Sequence, residues 1–123
     1  MEYISTASAP AAIGPYSQAI VCGDTLYASG QIPINPETGA IEARDIKGQT
    51  EQVCKNVGEV LKAAGMGFEN VVKTTCFLSD IGNFAAFNEV YAKFFVSKPA
   101  RSCVAVKDIP KGALCEIEIT AVR

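Results

Sequence analysis

The sequence contains no histidine among its 123 residues. This absence removes the usual general base, the Ser–His and Cys–His nucleophile pairs, and the commonest zinc ligand. No cluster of cysteines and carboxylates has the spacing of a metal site, and no glycine-rich phosphate loop joins a strand to a helix. Any catalysis must therefore come from arginine, carboxylates, tyrosine, hydroxyl groups, lysine, cysteine and the backbone. We expect no metal and no cofactor.

The sequence also lacks long apolar runs and a strong charge of one sign. No stretch approaches a membrane span, and no secretory or transit segment opens the chain, so we expect a cytoplasmic protein without membrane contact. The net charge of −2 and the absence of a Lys/Arg cluster argue against nucleic-acid binding. With 49% apolar and 20% charged residues, the chain is typical of one globular domain, which we place at residues 1–123.

The cysteines are odd in number and form no C-x-x-C pair. With no export signal, they predict free thiols in a reducing compartment rather than a disulfide framework. Four of the five lie in apolar runs, and core packing is the favoured interpretation for each. They are Cys22, Cys54, Cys76, Cys103 and Cys115.

Hydrophobic periodicity predicts the order β-β-β-α-β-α-β-β. The predicted strands are 2–6, 17–22, 25–29, 71–78, 102–106 and 115–122, and the predicted helices are 45–64 and 83–96. This order favours an α+β fold with two helices on one face of a mixed, mainly antiparallel sheet. Strands 71–78 and 115–122 carry apolar residues at both odd-numbered and even-numbered positions, and so on both faces of the sheet. This pattern indicates that the second face is covered by other copies of the chain. We therefore expect a closed homo-oligomer with pockets between subunits.

Arg101 is the strongest candidate for a binding residue. It lies in Pro99–Val104, among small and apolar residues, and a strand-bound guanidinium suits a carboxylate or a phosphate. Glu116 lies on a strand that we expect to pair with the strand of Arg101, where its carboxylate can hold or activate a water. The alternatives are a surface arginine packed on the sheet, and a solvated pair of Glu116 with Glu118. For Glu116, the residues favour neither interpretation.

Two further candidates lie close to apolar residues. Asn88 is on the apolar stripe of the second helix, four residues after Phe84 and three before Tyr91. Its amide needs partners, either in a pocket or in a tie to a loop. Cys103 follows Arg101 by two residues, and because no base is available we expect a structural thiol or a backbone contact.

The remaining candidates lie at junctions between loops and strands. Tyr16 follows Gly14–Pro15 and either anchors that loop or faces a ligand. Ser29 and Gly30 end a strand, where small residues form a turn or let a ligand approach the backbone. Lys73 is either a buried amine of lowered pKa or a snorkelling side chain, and snorkelling is favoured.

The chain resembles the RidA/YjgF family of reactive-intermediate deaminases over essentially its whole length. The matching motifs are Ala9–Gln18, Ser29–Pro33, Val72–Thr75, Asn88 with Tyr91, Pro99–Ser102 and Glu116–Glu118. The resemblance implies a chorismate-mutase-like fold and a homotrimer with a central β-barrel-like core. It also implies three pockets at the subunit interfaces.

The implied reaction is hydrolysis of 2-aminoacrylate, 2-iminopropanoate and 2-iminobutanoate to 2-keto acids and ammonia. Such imines are released by pyridoxal-phosphate-dependent dehydratases. By resemblance, Arg101 binds the substrate carboxylate, Glu116 positions or activates water, and the backbone of Cys103 lies near the imine nitrogen. The other pocket residues that the resemblance implies are Tyr16, Ser29, Gly30 and Asn88.

The resemblance fixes neither the size of the substrate nor the class of function. Segment 96–98 is shorter than in many family members and lacks the aromatic residue that often precedes Pro99, so the size of the substrate is not implied. The main alternative is a non-catalytic regulatory module of the same fold that binds small carboxylates. RNA cleavage and a chaperone-like surface activity are further alternatives, and the absence of histidine counts against RNA cleavage.

Overall fold

The computed structural model describes residues 1–123. Its strands are β1 (Glu2–Ile4), β2 (Ala19–Cys22), β3 (Thr25–Ala28), β4 (Val71–Leu78), β5 (Ala100–Ala105) and β6 (Cys115–Val122). Its helices are α1 (Ile46–Ala63) and α2 (Phe84–Phe94). The predicted order of strands and helices is confirmed. Neither helix is both long and apolar enough to cross a membrane.

The six strands form one sheet in the order β1-β2-β3-β6-β4-β5. Every neighbouring pair is antiparallel except β4 and β5, which are parallel. The expectation that β5 and β6 pair is wrong, because β4 lies between them. The connection from β4 through α2 returns the chain in the same direction, so β5 is added beside β4 at the edge of the sheet.

Helix α1 covers one face of the sheet with its apolar stripe. Val53, Val57, Val60 and Leu61 on this stripe are at most 1% exposed. The helix ends before Gly65, whose φ of +71° is a left-handed conformation that suits glycine. The helical periodicity of the sequence therefore locates this layer.

Strand β6 shows why the sheet has two different faces. Its odd-numbered residues are buried under the helices, whereas Glu116 and Glu118 lie on the other face. That face also exposes 56% of Tyr27, 47% of Val72 and 46% of Val104. An exposed apolar sheet face of this kind is typical of an interaction surface. Its coverage by other copies of the chain remains a prediction.

All five cysteines are free. Cys54, Cys76 and Cys115 are buried in the core, and burial raises the pKa of Cys115 to about 11. Cys103 is half-buried. The prediction of core packing is wrong for Cys22, which ends β2 next to the hairpin turn and is exposed.

Buried side-chain amides hold the loops that surround the sheet. Gln18 accepts the Thr6 backbone N–H at 2.7 Å and donates to the Pro10 carbonyl at 2.8 Å. Asn56 on α1 donates to the carbonyls of residues 32 and 34 at 3.1 and 2.9 Å. Since a buried amide without partners is costly, these bonds specify the path of both loops.

Candidate functional site

Arg101 lies on the edge strand β5, and its guanidinium folds onto helix α2. Nη1 donates to Asn88 Oδ1 at 2.7 Å, and Cζ lies 4.7 Å from the ring centroid of Tyr91 and 5.5 Å from that of Phe84. Neither of the chain's two ion pairs includes Arg101. A half-buried guanidinium with neutral partners only is suited to bind an external anion.

Cys103 presents its backbone rather than a reactive thiol. Burial raises the pKa of its half-buried thiol, and the nearby Arg101 charge offsets this only in part. The Val106 N–H donates to the Leu78 carbonyl at 2.8 Å, so it points towards β4. Because polar backbone groups alternate in direction along a strand, the N–H and C=O of Cys103 point towards the open edge.

Glu116 lies on the face of the sheet away from the helices and packs against Gly30. A Cβ atom at Gly30 would overlap the Glu116 carboxylate, so this close approach requires glycine. Gln31 and Ile117 exchange two backbone hydrogen bonds of 2.8 and 3.1 Å, which hold the glycine segment beside β6. Burial raises the pKa of Glu116, and the negative charge of Glu118 raises it further. A carboxylate of raised pKa is a stronger base than an ordinary glutamate.

Tyr16 and Ser29 lie on the chain segments next to Gly30. The Ser29 N–H donates to the Gln18 carbonyl at 2.9 Å, and its Oγ donates to the Ser17 carbonyl at 2.6 Å. Tyr16, 54% exposed, lines a groove of about 670 Å³ together with Ser29, and a second cavity of about 310 Å³ together with Gly30. Glu116 lines neither cavity, but Gly30, which lines the second one, lies against the Glu116 side chain.

The structure does not bring Arg101 and Glu116 together within one chain. Arg101 is in register with Thr74 of β4, whereas Glu116 is in register with Phe77, three residues further along. Since side chains alternate along β4, the two candidates lie on opposite faces of the sheet. Two strand spacings and three residues separate them by about 14 Å.

The predicted residues therefore fall into two groups. The arginine half-site is Asn88, Arg101 and Cys103. The glutamate half-site is Tyr16, Ser29, Gly30 and Glu116. No group of three or more potential metal ligands lies close enough together to hold an ion.

Some contacts on both half-sites are not predicted from the sequence. Helical spacing places Tyr91 and Phe84 on the apolar face of α2, yet both rings support Arg101. Their spacing around Asn88 on one helical stripe is the signal that points to this role. Pro110 and Lys111 line the 310 Å³ cavity with Tyr16 and Gly30, but they come from a distant loop without a comparable signal.

The fold and these half-sites define an α+β protein with a half-buried arginine, free of acidic partners in its own chain, at the edge of its sheet. The family model described as Endoribonuclease L-PSP matches residues 6–123. The human 2-iminobutanoate/2-iminopropanoate deaminase is 49% identical over 121 residues, which cover 98% of this chain and 88% of that protein. The chain belongs to the RidA/YjgF family.

Other relatives are described differently. A Lactococcus lactis protein named as a candidate regulator, AldR, is 52% identical and covers 98% of this chain and 97% of its own length. The structure of TdcF from E. coli, with bound serine, is 42% identical, has a TM-score of 0.95, and matches 100% of this chain and 99% of that chain. This solved structure confirms the predicted fold of two helices on a mixed sheet.

Proposed function

We propose that this protein hydrolyses small 2-imino and 2-enamino acids to 2-keto acids and ammonia. The main supporting observation is the half-buried Arg101, which has no anionic partner in its own chain. The deaminase names of human and goat relatives, both 49% identical, support the reaction class. The proposed substrates are 2-iminobutanoate and 2-iminopropanoate with its enamine form 2-aminoacrylate, supplied by pyridoxal-phosphate-dependent dehydratases.

Arg101 anchors the substrate through its carboxylate. Asn88 occupies Nη1 and leaves the other guanidinium donors for a bidentate pair with the two carboxylate oxygens. The outward-facing backbone of Cys103 lies next along the same edge and bonds the substrate near its nitrogen. Fixing the substrate in this way lowers the barrier by several kcal/mol, because orientation is provided before the reaction.

Glu116 accepts a proton from the attacking water. The water oxygen forms a bond to the imine carbon as the C=N π bond breaks, and the imine nitrogen takes up a proton from solvent and becomes an amine. The hydroxyl proton of the tetrahedral adduct then moves to this amine, the C–N bond breaks as the keto C=O bond forms, and ammonia leaves. Glu116 returns its proton to solvent. An enamine first takes up a proton at carbon to become the imine. Because an imine is already electrophilic, a base that orients water is sufficient.

The complete site forms between copies of the chain. The arginine and glutamate half-sites lie on opposite faces of one sheet, so one protomer supplies the anchor and its neighbour supplies the base. The exposed apolar face and the open edge of β5 are the surfaces available for this contact. A closed trimer would contain three equivalent pockets.

The test is a coupled assay with a threonine dehydratase, in which semicarbazide traps free imine. Catalytic amounts of the wild-type protein should lower semicarbazone formation. Arg101→Ala should lose about 100-fold or more of this activity, because a charged bidentate pair is removed. The exposed Arg44 provides the matched control, and Arg44→Ala should keep full activity. Full activity of Arg101→Ala would refute the anchor.

The regulatory module that binds small carboxylates is the second candidate. The relative named as a candidate regulator and the serine-bound E. coli relative favour keeping it. Glu116→Gln separates the two functions when binding of 2-oxobutanoate is measured by calorimetry beside turnover. An enzyme would keep most of its affinity in this variant and lose hydrolysis, whereas a binding module would show no hydrolysis even in the wild type.

A further inference from the structure

The anchor Arg101 rests on an aromatic ring that is itself fixed. Tyr91 is 8% exposed, and its hydroxyl forms a hydrogen bond of 2.7 Å with Thr74 Oγ1. Thr74 is fully buried and is in register with Arg101 across β4 and β5. The bond therefore ties the ring beneath the guanidinium to the strand next to the anchor.

The Tyr91 ring also has limited freedom to tilt. It stacks on Phe95 with a centroid distance of 4.3 Å and an interplanar angle of 19°, and Phe87 packs at 5.7 Å. Arg101 lies over this packed ring at 4.7 Å. Since the bond to Asn88 fixes only one guanidinium nitrogen, the aromatic rings restrict the plane of the guanidinium, and the Tyr91 ring is nearer than that of Phe84, at 4.7 Å against 5.5 Å.

We propose that Tyr91 is a positioning residue that holds Arg101 in its carboxylate-binding orientation, and that Thr74 fixes the ring through its hydroxyl. This role rests on the proposed function, since it concerns the same anchor. A long side chain that is already oriented loses less freedom when it binds a carboxylate. Loss of the ring position should therefore weaken substrate binding more than it slows the chemical step.

Two single variants and their combination separate positioning from stability. Tyr91→Phe and Thr74→Val each leave one buried hydroxyl without its main partner, which lowers the melting temperature. The double variant removes both hydroxyls, so its melting temperature should return towards that of the wild type. KM should stay raised about 3- to 10-fold in all three variants, with kcat within about twofold, because none of them keeps the hydrogen bond that ties the ring to β4.

Two more variants define the limits of the effect. Thr74→Ser keeps the hydroxyl and should restore a KM close to that of the wild type. Tyr91→Leu removes the ring and should raise KM by about 10-fold or more. Tyr3→Phe, at a tyrosine that is 63% exposed on β1, is the matched control and should change nothing.

Calorimetry with 2-oxobutanoate provides a second measurement that does not depend on turnover. Supporting results are a raised Kd and KM in the double variant despite its recovered stability. The proposal is overturned when KM follows melting temperature across the series, or when no variant changes it. A wild-type protein that neither binds 2-oxobutanoate nor hydrolyses imine would refute the proposed function instead.

Discussion

The arginine and glutamate half-sites are built by different means. Arg101 is placed by side chains of α2, namely the Asn88 amide and the Tyr91 ring, at the edge of the sheet. Glu116 is placed by its position on a central strand, by the close approach of Gly30 and by backbone bonds between Gln31 and Ile117. Loss of one contact should therefore shift the orientation of Arg101 only in part, because other contacts remain. The position of the Glu116 carboxylate, in contrast, depends on the absence of a Cβ atom at Gly30.

Among the variants that test this difference between the half-sites, Gly30→Ala should have the largest effect on activity. The added methyl group meets the end of the flexible Glu116 side chain, so the carboxylate moves while the strand stays in place. Hydrolysis should fall by about 100-fold, since the base loses its position, with little change in melting temperature. Steady-state kinetics and thermal unfolding measure the two quantities. A variant that loses activity only because it unfolds would contradict this account.

A smaller effect is expected at the arginine half-site. Asn88→Ala removes one charge-assisted hydrogen bond and should raise KM by about 10-fold, because the remaining contacts still hold the guanidinium. Asn83→Ala is the control, since the side chain of Asn83 makes no capping bond at the start of the same helix. Equal kinetics of the two variants would show that the amide bond does not orient the anchor.

The smallest expected effect is a shift in the pH profile of kcat/KM. The charge of Glu118 raises the pKa of Glu116, so Glu118→Gln should lower that pKa. The basic form of Glu116 would then persist to lower pH, and the acid limb of the pH profile of kcat/KM should shift to lower pH by a few tenths of a unit. Glu2→Gln, at an exposed carboxylate on β1, should leave the profile unchanged. A shift to higher pH would disprove the assigned coupling.

Local patterns predicted most of the fold. Strand β6 begins and ends where alternation and composition predicted, and its alternation correctly separated Glu116 and Glu118 from the buried residues. Helix α1 and its end at Gly65 followed from periodicity and from one glycine. These features depend on residues that are close in sequence.

The relative positions of the arginine and glutamate half-sites could not be predicted from such local patterns. The adjacency of β4 and β5, and the separation of β5 from β6, depend on contacts between segments distant in the sequence. The motif around Arg101 therefore gave no information on which strand lies beside it. The ring contact from Tyr91 was missed because an aromatic residue on a helix is usually explained by core packing alone.

The neutral surroundings of Arg101 have a consequence for selectivity. No carboxylate of the chain neutralises the guanidinium, so its remaining donors are available to any small carboxylate, whatever group that carboxylate is attached to. Under the proposed function, the keto acid product carries the same carboxylate as the imine. On this proposal the product competes with the imine for the anchor, and accumulated keto acid should inhibit hydrolysis.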